Sequence, residues 1–131
     1  MILASGSLAY DRIMNYDGFF RDHINLDKLH SLSVSFMAKK FSENFGGTAG
    51  NIAYNLALLG EKSCLISSVG KDFLPYQKWL LKNKIDLSLV QKIKNENTAG
   101  AYIMTDKADC QITAFYPGAM QHHVTRNTKH V

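Results

Sequence analysis

The run Gly46-Gly47-Thr48-Ala49-Gly50-Asn51-Ile52-Ala53 constrains this chain more than any other segment. Its three glycines and two alanines let backbone come close to another element, and a lone Asn sits among them. Ile52, Leu56 and Leu59 then recur at helical spacing, and Gly60 marks the stop. Thr48 is the expected N-cap, its hydroxyl accepting a bond from an orphan amide. A Gly-Gly turn feeding a helix N-terminus presents unpaired N–H groups at the positive end of the helix dipole, which suits a polar or anionic ligand. The same eight residues also fit a plain glycine-rich helix start.

Around this run the chain alternates strands and helices. Residues 1–7 are apolar and end at Gly6-Ser7, which predicts a buried central strand. Residues 8–16 continue as extended chain, and Asn15-Tyr16-Asp17-Gly18 is a turn signal. Across 31–41, Leu32, Val34 and Phe36 alternate with Ser31, Ser33 and Ser35, the pattern of a strand with one wetter face. Residues 63–69 form a short apolar run closed by Gly70, a second core strand. Asp72 is expected to cap a helix from Phe73 to about Asn83, with Pro75 in the tolerated first turn. Tyr76, Trp79 and Leu80 would face the core. This order points to a parallel sheet with right-handed crossovers. The last third differs: 98–105 and 111–116 are two strands joined by Asp106-Lys107-Ala108-Asp109, a β-hairpin.

Composition narrows the function classes. Apolar content of 46% and charged content of 20% are those of a folded globular chain. The net charge of +4 comes from dispersed lysines and arginines, such as Lys39-Lys40, with no basic run interleaved with aromatics, so nucleic acid is not an expected partner. No apolar run approaches the roughly 20 residues that cross a bilayer. The N-terminus lacks a basic region and is too short for a signal peptide, so no membrane association and a cytoplasmic location are expected. Cys64 and Cys110 form no CxxC and are expected to be reduced, buried thiols. His122-His123 and His130 sit in a polar stretch, 121–131, that reads as a solvated tail; no metal ligands are assigned.

In a parallel βαβ unit a ligand sits beyond the carboxyl ends of the strands. Asp11, a few residues past the first strand, and the Gly46-Gly47 turn both fall there. A carboxylate accepting from two hydroxyls, facing backbone N–H groups and the Asn51 amide, suits a polyol or ribose ring. A turn or cap role for Asp11 stands beside that reading, since Asp commonly bonds local backbone.

The stretch from Gly46 to Gly70 resembles the N-terminal signature of the PfkB (ribokinase-like) carbohydrate and nucleoside kinases, through Gly46, Gly47, Ala49, Asn51, Ala53, Gly60 and Gly70. The resemblance extends to Gly6-Ser7, Asp11 and Gln111-Ile112-Thr113-Ala114-Phe115-Tyr116-Pro117-Gly118, a segment most like the adenosine-kinase-like branch. It implies an α/β fold in which residues 1–131 are the N-terminal part of a kinase domain: a βαβ portion at about 1–7 and 46–95, and a small β-sheet lid at about 8–18, 31–41 and 98–116. It implies a sugar or nucleoside substrate held by Asp11, Gly46, Gly47 and Asn51, and makes Phe36, Tyr102 and Phe115 candidates to cover an apolar ligand face such as a nucleobase. Those aromatics also fit ordinary packing on half-buried strands.

In that family ATP and Mg²⁺ serve phosphoryl transfer to a hydroxymethyl group, and a Gly-Ala-Gly-Asp motif in the C-terminal half supplies the anion hole and catalytic Asp. No such motif occurs in these 131 residues. The expectation is a substrate-binding and lid portion that binds no nucleotide and does not turn over alone. The rival expectations are a truncated fold kept as a sugar-binding or protein-interaction module, and a remnant of a disrupted gene. A sheet cut after its first strands leaves a bare edge and an uncovered apolar face, which predicts a homo-oligomer.

Overall fold

The computed structural model describes residues 1–122 and 124. The stretch 121–131, with His123 and His130, therefore lies mostly outside the described residues. Among the described residues seven strands form two sheets: β1 (Ile2–Ser5), β2 (Ala9–Tyr16), β3 (Ala38–Gly46), β4 (Ser63–Val69), β5 (Asp86–Lys92), β6 (Ala99–Thr105) and β7 (Gln111–Tyr116). Two helices, α1 (Thr48–Leu58) and α2 (Leu74–Lys82), complete the regular structure apart from short 3-10 turns. One sheet is parallel, in the order β1-β4-β5; the other is mixed, in the order β3-β2-β6-β7.

The steps from β1 to β4 and from β4 to β5 run in one direction across the parallel sheet, so right-handed crossovers set both helices on one face. Ala4, Leu65 and Val69 there meet Ala49 and Ala53 of α1, and Tyr76 and Leu80 of α2. Alanines on α1 let the helix lie close to the strands, while the large side chains of α2 fill the space beside them. Phe45 stacks on Tyr76 at 4.5 Å, and Tyr54 meets Trp79 at 4.6 Å, joining the end of β3 to both helices. By register, Leu3, Cys64, Ile66 and Leu89 share the opposite face. Leu3, Ile66, Leu89 and Val124 line a cavity of about 210 Å³ there.

In the mixed sheet, β2 runs antiparallel to β3 and parallel to β6, and β6 runs antiparallel to β7. Register sorts its side chains onto two faces. Asp11 shares a face with Asn44, Ala101 and Phe115. Arg12 shares the other with Glu43, Tyr102 and Ala114. The hairpin expected at 98–105 and 111–116 is present, its turn held by Asp106, whose Oδ1 accepts from Ala108 N at 2.8 Å and Cys110 N at 3.0 Å.

Several expectations are corrected. The first strand is an edge, not the centre: β4 lies in the middle, and Leu3 is 56% exposed. Apolar content alone does not distinguish a strand with two neighbours from one with a single neighbour. The strand expected at 31–41 begins only at Ala38 and runs to Gly46, while Leu26–Ser31 is a 3-10 turn whose Asp27 amide donates to Asn25 Oδ1. The segment 38–46 is polar and carries little alternation, but pairing with β2 over Ala9↔Gly46 to Tyr16↔Ala38 decides the matter. Thr48 is not the cap of α1; Gly47 holds that position, and the capping oxygens come from Ser7. Asp72 does not cap α2, which starts after Phe73 without a side-chain cap. Its Oδ1 accepts instead from Thr98 N at 2.7 Å, pinning the start of β6. The strand β5 was not anticipated, although Leu87 and Leu89 alternate with Asp86 and Ser88. The expectation of buried thiols holds for Cys64 and fails for Cys110, which is exposed.

Candidate functional site

The site region begins where β1 ends. Ser7 reaches across to the first turn of α1: its Oγ accepts from Thr48 N at 3.0 Å and its carbonyl from Ala49 N at 3.1 Å. Two of the amides expected to be open are thus occupied by the chain itself. Ser67 Oγ donates to Gly6 O at 2.7 Å, fixing this loop to the carboxyl end of β4. The capping of α1 by Ser7 is what sequence reasoning missed. Its signal was the Gly6-Ser7 pair directly after a strand, where a serine hydroxyl can cap a helix that arrives later in the chain.

Gly47 has φ 88°, a conformation that favours glycine, and a Cβ there would lie 2.4 Å from Ser7 O. Gly46 is needed for another reason. A Cβ on it would lie 2.2 Å from Asp11 Oδ2, so the carboxylate occupies the space that a side chain at 46 would take. Asp11 and the Gly46-Gly47 turn, placed together from sequence alone, are in direct contact. Among the described residues, no protein donor engages the Asp11 carboxylate.

Asn51 lies exposed on the first turn of α1, its amide bonded to Gly47 O at 3.0 Å. Its backbone carbonyl accepts from Asn55 Nδ2 at 2.8 Å. Behind this turn Tyr76 donates its hydroxyl to Gly46 O at 2.9 Å. Burial, and then the negative charge of Asp11, push the Tyr76 phenol far above its usual range, so it stays a donor. A cavity of about 330 Å³ opens at the carboxyl ends of β1 and β4, lined by Ser5, Gly6, Ser67 and Ser68 among others.

The three aromatic candidates separate. Phe115 is exposed on β7, on the face that carries Asp11. Tyr102 is on the opposite face, where Arg12 Nη1 donates to its hydroxyl at 3.1 Å and Arg12 also pairs with Glu43 at 2.7 Å. Phe36 packs against Tyr16 and Phe20, each at 5.0 Å, beside His23. It belongs to a local aromatic cluster that closes the excursion between β2 and β3.

Among the described residues no group of three or more His, Cys, Asp or Glu side chains could hold a metal ion. No helix of the described residues is long and apolar enough to cross a membrane.

The pfkB family carbohydrate kinase description matches residues 1–130. A nucleoside kinase of Methanothermobacter thermautotrophicus is 32% identical over 123 residues, covering 92% of this chain and 37% of its own length. The structure of Burkholderia thailandensis nucleoside kinase in complex with inosine aligns with a TM-score of 0.76 and 38% identity, over 91% of this chain and 37% of that one. The Methanocaldococcus jannaschii nucleoside kinase structure, an archaeal member of the ribokinase family, aligns with a TM-score of 0.79 and 32% identity, over 92% of this chain and 38% of that one. The chain therefore spans well under half the length of the relatives it matches. Its parallel core sheet and mixed lid sheet are those of the ribokinase-like α/β fold, and the chain belongs to the pfkB family of carbohydrate kinases.

Proposed function

We propose that this chain is the N-terminal, acceptor-binding and lid portion of an ATP-dependent kinase acting on a hydroxymethyl group of a ribonucleoside or sugar. The observation that carries this reading is the Asp11 carboxylate set over Gly46 at the entry to α1, with no protein donor spent on it among the described residues. A charged acceptor there takes two adjacent ring hydroxyls, while Asn51 and the Gly47 amide supply donors from the helix side. Phe115, on the same sheet face, is the aromatic best placed to cover a base. The similarity to two nucleoside kinase structures favours a nucleoside over a simple sugar.

In the family reaction ATP and Mg²⁺ serve the phosphoryl transfer. No Gly-Ala-Gly-Asp stretch occurs in the sequence. This chain's contribution is to bind and orient the acceptor and, through the mixed sheet, to keep water from competing as phosphoryl acceptor. The bare edges of β1 and β5 and the open face at Leu3, Ile66 and Leu89 support self-association as well.

The test is an NMR titration with inosine and with ribose. Binding in the millimolar range is expected, with shifts clustered at residues 11 and 46–51. Asp11→Ala should abolish it, since hydrogen bonds to a charged group contribute about 1.5–3 kcal/mol each. Shifts centred elsewhere, or an Asp11→Ala protein that titrates like the parent, would refute the assignment. With ATP and Mg²⁺ added, the chain should release no phosphorylated product above a buffer control.

A further inference from the structure

Two glycines of the run at 46–53 have the space of their missing side chains filled by side chains from outside α1. Asp11 occupies the Cβ position of Gly46, at 2.2 Å, and the Tyr76 hydroxyl occupies that of Gly50, at 1.9 Å. That hydroxyl then donates to Gly46 O at 2.9 Å in a buried bond. Asp11 and Tyr76 thus hold the same residue, one at its Cα and one at its carbonyl.

No peptide bond in the described residues is cis, so the carbonyl of Gly46 and the N–H of Gly47 point in opposite directions from one planar unit. With the carbonyl drawn toward buried Tyr76, the Gly47 N–H is turned away from the core. Pairing of Gly46 with Ala9 and the close approach of Ser7 to Gly47 also bound this turn, but both residues are glycine, with the widest choice of backbone angles, so the Tyr76 bond adds to the choice of peptide orientation. The Tyr76 ring would pack against Phe45, Tyr10 and Phe73 whether or not it carried a hydroxyl. The hydroxyl is therefore separable from the packing.

We propose that Tyr76 is a positioning residue for the substrate site, its hydroxyl passing through the gap left by Gly50 to orient the Gly46–Gly47 peptide so that the Gly47 N–H faces the acceptor. This rests on the assignment of Asp11, Gly46, Gly47 and Asn51 as that site. Gly50 is then a residue kept small for Tyr76, not for a ligand.

The experiment compares Tyr76→Phe with the parent chain and with Tyr54→Phe as a control. The Gly46 carbonyl carbon and Gly47 amide resonances should move in Tyr76→Phe and stay put in the control. Inosine binding should weaken about tenfold, the loss expected for one misdirected hydrogen bond. Gly50→Ala should lower the unfolding midpoint more in the parent than in Tyr76→Phe, because the phenylalanine no longer fills the Cβ position. Unchanged Gly46 and Gly47 resonances in Tyr76→Phe would overturn the proposal, and so would a Tyr76→Phe chain that fails to fold, which would make the hydroxyl a stabilising group only. Binding lost in Asp11→Ala yet unchanged in Tyr76→Phe overturns the positioning role alone. Binding unchanged in Asp11→Ala removes the site assignment and the proposal with it.

Discussion

The parallel sheet and the mixed sheet use similar residues to opposite ends. β4 of the parallel sheet is buried at every position but Ile66, packed between two neighbours and under two helices. β7 of the mixed sheet, with Ile112, Phe115 and Tyr116, is exposed at every position. Among the described residues the helices meet the mixed sheet at its Tyr10 and Phe45 end, while Phe41 and Tyr102 are exposed farther along it. Apolar side chains are thus spent as core in one sheet and left available in the other. That contrast suits a rigid base joined to a surface that closes over a ligand or a partner.

The contrast breaks most readily by truncation. Leu65→Ala, fully buried in β4, should cost about 2–5 kcal/mol, whereas Ile112→Ala on β7 should cost about 0.5 kcal/mol or less, both read from urea unfolding. Equal losses would mean that the mixed sheet is part of the core after all. At the junction between the sheets, Asp72→Ala should cost about 1–3 kcal/mol by stranding the Thr98 amide. Hydrogen exchange should quicken at Thr98 and not along α2; faster exchange in α2 would restore Asp72 as its cap. Self-association sharpens the comparison from outside. Light scattering at tens of micromolar should find a dimer or larger species, and a clean monomer would show that neither the open face nor the bare edges suffice.

The smallest effect belongs to Asp17, at the far end of the mixed sheet. Lys107, then Lys39, hold its carboxyl down at about 2. A depressed folded value contributes stability that is complete above the unfolded value near 3.9 and is lost as pH falls through about 2. The thermal midpoint of Asp17→Asn should therefore approach that of the parent as pH drops through that window. A constant gap would show that the ion pairs add nothing.

Local patterns disclosed much of this molecule. The helix after Gly47, the helix around Tyr76 and Leu80, the strand at 63–69 and the hairpin at 98–116 were all legible, because each is marked by short-range signals: helical spacing, a β run closed by glycine, a polar turn. The contact of Asp11 with the Gly46-Gly47 turn was legible too, through the chain order of a strand end and a helix start. The edge position of β1, the late start of β3 and the roles of Ser7 and Asp72 were not. Each depends on a partner distant in the chain: β1 on β4, Ala38 on Tyr16, Ser7 on the amides of Thr48 and Ala49, Asp72 on Thr98.

By itself the sequence determined the element types, the glycine-rich entry to α1 and the kinase family, since propensity, turn chemistry and motif spacing are local properties. Only the tertiary structure decided which face each side chain serves. Asp11 and Tyr102 lie on neighbouring strands, yet pairing register puts them on opposite sides of one sheet. Register is a property of two strands at once, and a shift of one residue would exchange the faces.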